Sequence, residues 1–200
     1  MRLPNSAHTS RPWRIRELCH DFRLEDVWEL RLSSDPSDFH RAVELFAAAD
    51  PRRHASWVVR LLFAVRAKLG ELFGWDDERE GVGASWPTLR DRLPVDLRAA
   101  PGPEFAALPA RSLYLLDDEF AAEAANRTAH GVIHLGRVQT PSGEYRAQLA
   151  IYVQPNGALG KAYMAAIKPF RHVLVYPRVL REWERQLRAG PTKASPAVAT

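Results

Sequence analysis

Residues 127–153 read RTAHGVIHLGRVQTPSGEYRAQLAIYV, and their local structure decides what kind of fold the chain has. From 145 to 153, Tyr145, Ala147, Leu149, Ile151 and Val153 alternate with Arg146, Gln148 and Tyr152. Apolar residues at every second position mark a strand with one face on a core. Upstream, His130 and His134 stand four residues apart. On a helix such residues lie within about 6 Å, and two imidazoles there can share a zinc ion. On a strand they share a face but stand roughly 13 Å apart, at about 3.3 Å per residue. Zinc–nitrogen bonds of about 2.0–2.1 Å do not span that gap. Two glycines, Val132 and Ile133 argue for a strand, and PSGEY (141–145) supplies the turn to its partner. The segments 127–138 and 145–153 therefore read as a hairpin, and the histidine pair is not a metal motif. No metal is expected. Ala129, Gly131, Ile133 and Leu135 form the face suited to the core, which puts His130, Val132 and His134 on an outer or partly covered face. Their expected role is bonding to neighbouring elements; the alternative is a polar part in a cavity.

Working outward, SLYLL (112–116) is a further strand candidate. DDEFAAEAAN (117–126) is ambiguous, because its alanines favour a helix with Asp117 as cap. An antiparallel sheet over 112–153 packed on a C-terminal helix is the expectation. A charge at Leu149 should then be severely destabilising, and one at Gln148 far milder. RLEDVWELRL (23–32) reads as a strand with imperfect alternation at Leu24, Val27 and Leu30. A helix follows in 35–50, with Asp35 as N-cap, Pro36 at its first position and an apolar stripe of Phe39, Ala42, Val43 and Phe46. Asp50-Pro51 ends it. A second helix runs through 55–74, with Val58, Leu61, Leu62, Val65, Leu69, Leu72 and Phe73 as its apolar face and Gly74 as its stop. From 75 to 109 the chain is rich in Gly, Pro, Asp and Arg, yet keeps Trp86, Leu89, Leu93 and Leu97. That composition predicts a segment wrapped onto the body, with a mobile lid over a pocket as the alternative. The region from Gly157 is helical by period, interrupted at Pro169 and Pro177, which lack the amide hydrogen a helix interior uses. The last residues, AGPTKASPAVAT (189–200), read as a disordered tail.

Composition bounds the classes. With 46% hydrophobic and 26% charged residues, the chain is of ordinary globular type. No apolar run reaches the roughly 20 residues of a membrane helix, and the first residues lack a signal peptide's apolar stretch, so a cytoplasmic protein is expected. Cys19 is the single cysteine, which excludes an internal disulfide and reads as a small buried residue. The net charge is +4, and the cations gather late, in Lys161, Lys168, Arg171, Arg178, Arg181, Arg185, Arg188 and Lys193. A solvated helix face accounts for them, and the same holds for the KPFRH turn of Lys168, Arg171 and His172. A nucleic-acid surface is not expected. The chain has no Gly-rich phosphate loop and no nucleophile elbow, and nothing in it calls for a cofactor.

Several stretches together resemble a known family: NRTAHGVIHLG (126–136), AIYVQPNGALGKAYMAAIKPFRHVLVYP (150–177), DFRLEDVWEL (21–30), LGELFGWDD (69–77) and TLRDRLPVDL (88–97). They are similar to the bacterial domain of unknown function 2867, grouped with the START-like, polyketide-cyclase (SRPBCC) superfamily. The resemblance implies an α+β helix-grip fold, an antiparallel sheet curled around a long C-terminal helix with a cavity between them. It makes residues 1–188 a single START-like domain, 117–126 a strand and 157–187 the gripping helix. Arg137 stands where relatives tend to carry an aromatic. The resemblance carries no assigned reaction and hence no catalytic residue.

The leading functional expectation is a protein that binds a small, largely apolar molecule in that cavity. Leu149, Ile151 and Val153 would line it from the sheet, and Tyr163, Ile167, Phe170 and Leu174 from the helix. His130, His134, Lys168 and Arg171 are the candidate polar groups. One alternative is an enzyme in the same cavity, a cyclase, dehydratase or isomerase moving a proton by tyrosine or histidine. The other is an interaction module using the basic C-terminal helix.

Overall fold

The computed structural model describes residues 1–32, 37–73, 82–83 and 86–189, without the side chains of Leu69 and Phe73. Strands β1 (Arg2–Leu3), β2 (Arg23–Arg31), β3 (Arg111–Leu115), β4 (Glu119–Ala125), β5 (Ala129–Gln139) and β6 (Tyr145–Pro155) form one sheet, ordered β1-β2-β6-β5-β4-β3. Every neighbouring pair is antiparallel. Short helices α1 (Ser6–Thr9) and α2 (Ile15–Leu18) separate β1 from β2. Helices α3 (Ser37–Ala47), α4 (Trp57–Phe73) and α5 (Val95–Arg98) fall between β2 and β3. After β6 come α6 (Gly157–Phe170), a π-turn (Arg171–Val175) and α7 (Tyr176–Arg188). This α+β arrangement, with its six-stranded antiparallel sheet and long C-terminal helix, agrees with a helix grip. The proposed cap Asp35, Pro36, the stop Gly74, parts of the 75–109 segment and residues 190–200 of the tail lie outside the described residues.

The hairpin has the register that alternation implies, Leu135 opposite Leu149 and Ile133 opposite Ile151. Residues 119–125 are a strand against their alanine propensity. Ala121 and Ala122 are buried on opposite faces, so the site selects small side chains, and packing outweighs local preference. The near face of the sheet packs Trp28, Leu30, Phe120, Leu135 and Leu149 against Leu180, Trp183 and Leu187 of α7 and Phe39, Ala42 and Val43 of α3. Trp183 Nε1 donates to the Ala42 carbonyl at 3.0 Å, pinning the two helices together.

The far face is buried as well. Val27, Val132, Ala150 and Tyr152 lie under Trp13, Ile15 and Leu18 from the N-terminal segment and Leu89, Leu93 and Leu97 from the 86–109 segment. The wrapped-segment reading is correct, but the segment lies across the sheet from α7. His130 and His134 are therefore fully covered, which corrects their placement on an outer face. Gln148 is buried too, so the mild effect expected of a charge there is also corrected. Gly136 permits this close layering, since a Cβ there would come within 2.7 Å of the Trp13 ring.

Helix α4 departs most from its periodicity. Of its apolar residues Val59 is buried, whereas Leu61, Val65 and Leu72 are exposed. The helix meets the π-turn and the 51–53 turn rather than lying flat on the sheet, so only part of its apolar period is covered, with Val58 and Leu62 half-buried. In the C-terminal helix, the two prolines are accommodated without a break. Tyr176 N–H bonds back to the Arg171 carbonyl, an i→i+5 bond that widens the turn. Pro177 cannot bond to Val173, and Arg178 Nη1 reaches the Val173 and Leu174 carbonyls instead, at 3.3 and 3.0 Å.

Leu149→Asp and Gln148→Asp place an unpaired charge in two different buried layers. Both should lose several kcal/mol of stability, read as a lower Tm in thermal melts. A Gln148→Asp melt equal to wild type would mean that the far layer is open to water.

Candidate functional site

Three polar or half-open regions stand out from the packed core. The first is set by a β-bulge. Leu24 pairs with Tyr152 and Asp26 with Ile151, so Glu25 is an extra residue in β2. In an unbulged strand Leu24 and Asp26 would share a face; with the bulge Leu24 and Val27 face the far layer and Asp26 turns toward the C-terminal helix. This explains the imperfect alternation of the strand. The Asp26 carboxylate is fully buried and accepts from Arg171 Nη2 at 2.8 Å and pairs with His172 Nε2 at 2.5 Å. Arg2 lies 3.7 Å away, and Lys168 lies 3.8 Å from Glu25. The His172 ring meets the edge of Trp28, and Arg171 lies over Tyr176. Arg171 and His172 thus leave the solvated face on which the KPFRH reading put them, because the wide turn aims both at the bulge. A polar groove of about 570 Å³, lined by Arg2, Asn5, Arg23, Glu25 and Lys168 among others, opens beside this cluster.

The second region is the contact of α6 with the sheet. Ile151 and Val153 are buried beneath it, as is Leu149 farther along β6. Tyr163, Met164, Ile167 and Leu174 are half-buried, and Gly160 is the one buried residue of α6. Gly160 is needed for close approach, since a Cβ there would strike the Thr128 carbonyl. Phe170 points to solvent, which corrects its place in a cavity wall.

The third region holds the histidines, on the opposite side of the sheet from α6 and α7. His130 and His134 are thus not polar groups of a space beneath the helix. Instead the four-residue spacing recurs on the neighbouring strand as Glu119 and Glu123, and each histidine meets one carboxylate. His134 Nε2 is 3.2 Å from Glu119, and His130 Nε2 is 2.9 Å from Glu123. Each carboxylate also ties down a covering segment. Glu119 accepts from the Arg14 backbone N–H at 3.0 Å and from Tyr114 O–H at 3.1 Å. Glu123 accepts from Leu89 N–H at 3.0 Å and Thr88 O–H at 2.5 Å. Burial acts to raise both carboxyl pKa values, but the donors outweigh it and hold them below the ordinary range. Burial lowers the pKa of His134, so the neutral ring donates to ionised Glu119. His8 meets Tyr152 O–H at 3.0 Å and packs edge-on to His134. Burial, then the neighbouring His134, push its pKa down to about 3, with Gln148 acting the other way and Arg16 adding to the fall. Cys19 is buried, and its thiol is pushed up to about 12 by that burial. Among the described residues no group of three or more His, Cys, Asp or Glu is placed to hold a metal ion.

Glu119, Glu123, Asp26 and His8 escaped the sequence reading. The matching spacings of Glu119/Glu123 and His130/His134 were the available signal for the first two. His172 was seen only as part of a charged turn, because its partner lies 146 residues away.

The family described as "Protein of unknown function (DUF2867)" matches residues 18–178. The chain belongs to this family. The match spans β2 through the start of α7, and so includes Asp26, both His–Glu pairs, α6 and the π-turn. No curated protein matches the chain. Within the described residues no helix is long and apolar enough to cross a membrane.

The far-face histidines give a pH dependence with a definite sign. The unfolded chain protonates His8 near its ordinary 6.5, whereas the folded chain does so near 3. Between these values the unfolded state binds more protons, so stability is complete above 6.5 and falls as the pH drops. His134, whose pKa is also lowered, adds to the loss, and Glu119 and Glu123 add to it below the ordinary carboxyl range. Each proton taken up on unfolding costs about 1.4 kcal/mol per pH unit. Melts of wild type and His8→Gln from pH 7 to 4 should show a shallower decline in the variant. Parallel curves would exclude His8 as a source of the acid lability.

Proposed function

We infer that the chain is a START-like protein that holds a small, largely apolar molecule between α6 and the sheet. One observation carries this reading, the contrast within the C-terminal helix. Helix α7 buries Leu180, Trp183 and Leu187, while α6 buries only Gly160 and leaves Tyr163, Met164 and Ile167 half-buried, with Met164 packed on the cluster that holds Ile151 and Val153. Ligand sites are typically apolar with a few placed polar groups, and Asp26, Arg171, His172 and Lys168 stand at the π-turn end of this strip. An apolar tail along α6 and a polar head at the π-turn is the ligand shape that fits. The test is titration of the full chain with a fluorescent fatty-acid analogue. Ile167→Ala removes about three methylene equivalents at about 0.8 kcal/mol each, so affinity should fall tenfold or more. Salt should have little effect, because apolar burial is not screened. Wild-type affinity in a folded Ile167→Ala variant would sink the proposal.

The enzyme reading gains support from a separate observation, the buried Asp26–His172 pair. A carboxylate that orients an imidazole is an arrangement suited to general acid–base work, and bulges and π-turns gather at functional sites. Asp26 holds His172 Nε2, which leaves Nδ1 as the nitrogen that would move a proton. On this reading, His172→Gln abolishes conversion of a bound molecule, followed by mass spectrometry, and changes its affinity by no more than about twofold. Unchanged conversion would remove His172 from the chemistry.

A further inference from the structure

Helices α4 and α6 and the π-turn expose several large apolar side chains. On α4, Trp57 is 65% exposed, and Leu61 and Val65 also face solvent. On α6 and the turn, Leu159, Phe170 (51%) and Val173 (67%) do the same. The elements adjoin, since α4 meets the π-turn and Arg66 lies over the Tyr163 ring. Exposed apolar surface gathered on adjoining elements marks a protein or membrane contact.

The bordering charges distinguish the two. Arg60, Lys68 and Lys161 are exposed, and Lys168 is half-exposed. Glu71 is the only carboxylate on α4, α6 or the π-turn, and Lys68 already holds it at 2.9 Å. A second copy in a two-fold contact would set these cations against their own images, and like charges across an interface disfavour it. An anionic lipid surface attracts the same cations, takes up the apolar side chains between them, and suits a tryptophan at the boundary.

We propose that α4, α6 and the π-turn form a docking face for an anionic phospholipid bilayer. The face lies in the interface without spanning it. The proposal goes beyond ligand binding beneath α6 and does not depend on it.

Co-sedimentation of the full chain with vesicles tests it, using phosphatidylcholine alone and an equal mixture with phosphatidylglycerol. The chain should bind the mixed vesicles and lose affinity as salt rises. Lys161→Gln should weaken binding about fivefold. Phe170→Ser combined with Val173→Ser should weaken it at least tenfold, with an unchanged melt, because both residues are exposed. If that pair lowers the melt, Leu61→Ser with Val65→Ser on α4 carries the same test. Equal binding to both vesicle types overturns the anionic requirement, and no binding to either overturns the proposal. Dimerisation in gel filtration that is lost in the serine variants, without vesicle binding, would assign the face to a second copy instead.

Discussion

The carboxylate of Glu119 is the contact on which the two-sided burial of this sheet depends. It sits in strand β4 and accepts from a backbone amide of the N-terminal segment, from a tyrosine on β3 and from a histidine on β5. A buried carboxylate without such donors would be protonated or would expel its cover. With them, the N-terminal segment is pinned across strands far from it in sequence. Glu123 repeats the device for the 86–97 segment. The far layer therefore consists of short helices and turns that could not stand alone, held by these carboxylates, by further polar contacts such as His8 to Tyr152 and Trp86 to the Asn126 carbonyl, and by a set of apolar side chains.

The near face is built differently. Its contacts are almost wholly apolar, and the polar group that enters it, Asp26, is brought there by one extra residue in β2. The sheet thus carries hydrogen-bonded carboxylates along its far face and, on an otherwise apolar near face, one buried ion pair. Histidines and carboxylates, the residue types that first suggest chemistry, chiefly hold layers together here. The groups better placed for a ligand, Arg171 and His172, lie in a helix that local sequence makes look solvated.

The hairpin was legible because 145–153 alternate without a fault and His130, Val132 and His134 fall on one face. The strip of Phe39, Ala42 and Val43 was legible for the same reason at helical period. Alternation alone does not tell whether the second face of a strand meets water, so the burial of Gln148 and both histidines stayed hidden. It depends on segments more than 30 residues away in sequence that arrive over that face. Helix α4 misled in the opposite sense. Amphipathic spacing states that a face is apolar, not what covers it, and Leu61 and Val65 face outward with the same period that would serve a core. The Asp26 cluster was out of reach because a bulge shifts the face of a residue and a π-turn shifts the phase of a helix. The bulge shows in the sequence only as imperfect alternation over 24–30, and the π-turn leaves no periodic trace.

An α-helix advances about 100° per residue, so the residue accommodated by the wide turn at 171–175 rotates everything after it by that amount. The C-terminal helix is therefore two rotors on one shaft. The azimuth of α7 is locked by the bond from Trp183 to Ala42 and by the packing of Leu180 and Leu187, while α6 takes its own heading from Gly160 against Thr128. The wide turn absorbs the mismatch between the two headings, and Arg171 and His172, bound there to Asp26, hold it in place. The two halves are thus set at different angles on one axis, each by its own contacts.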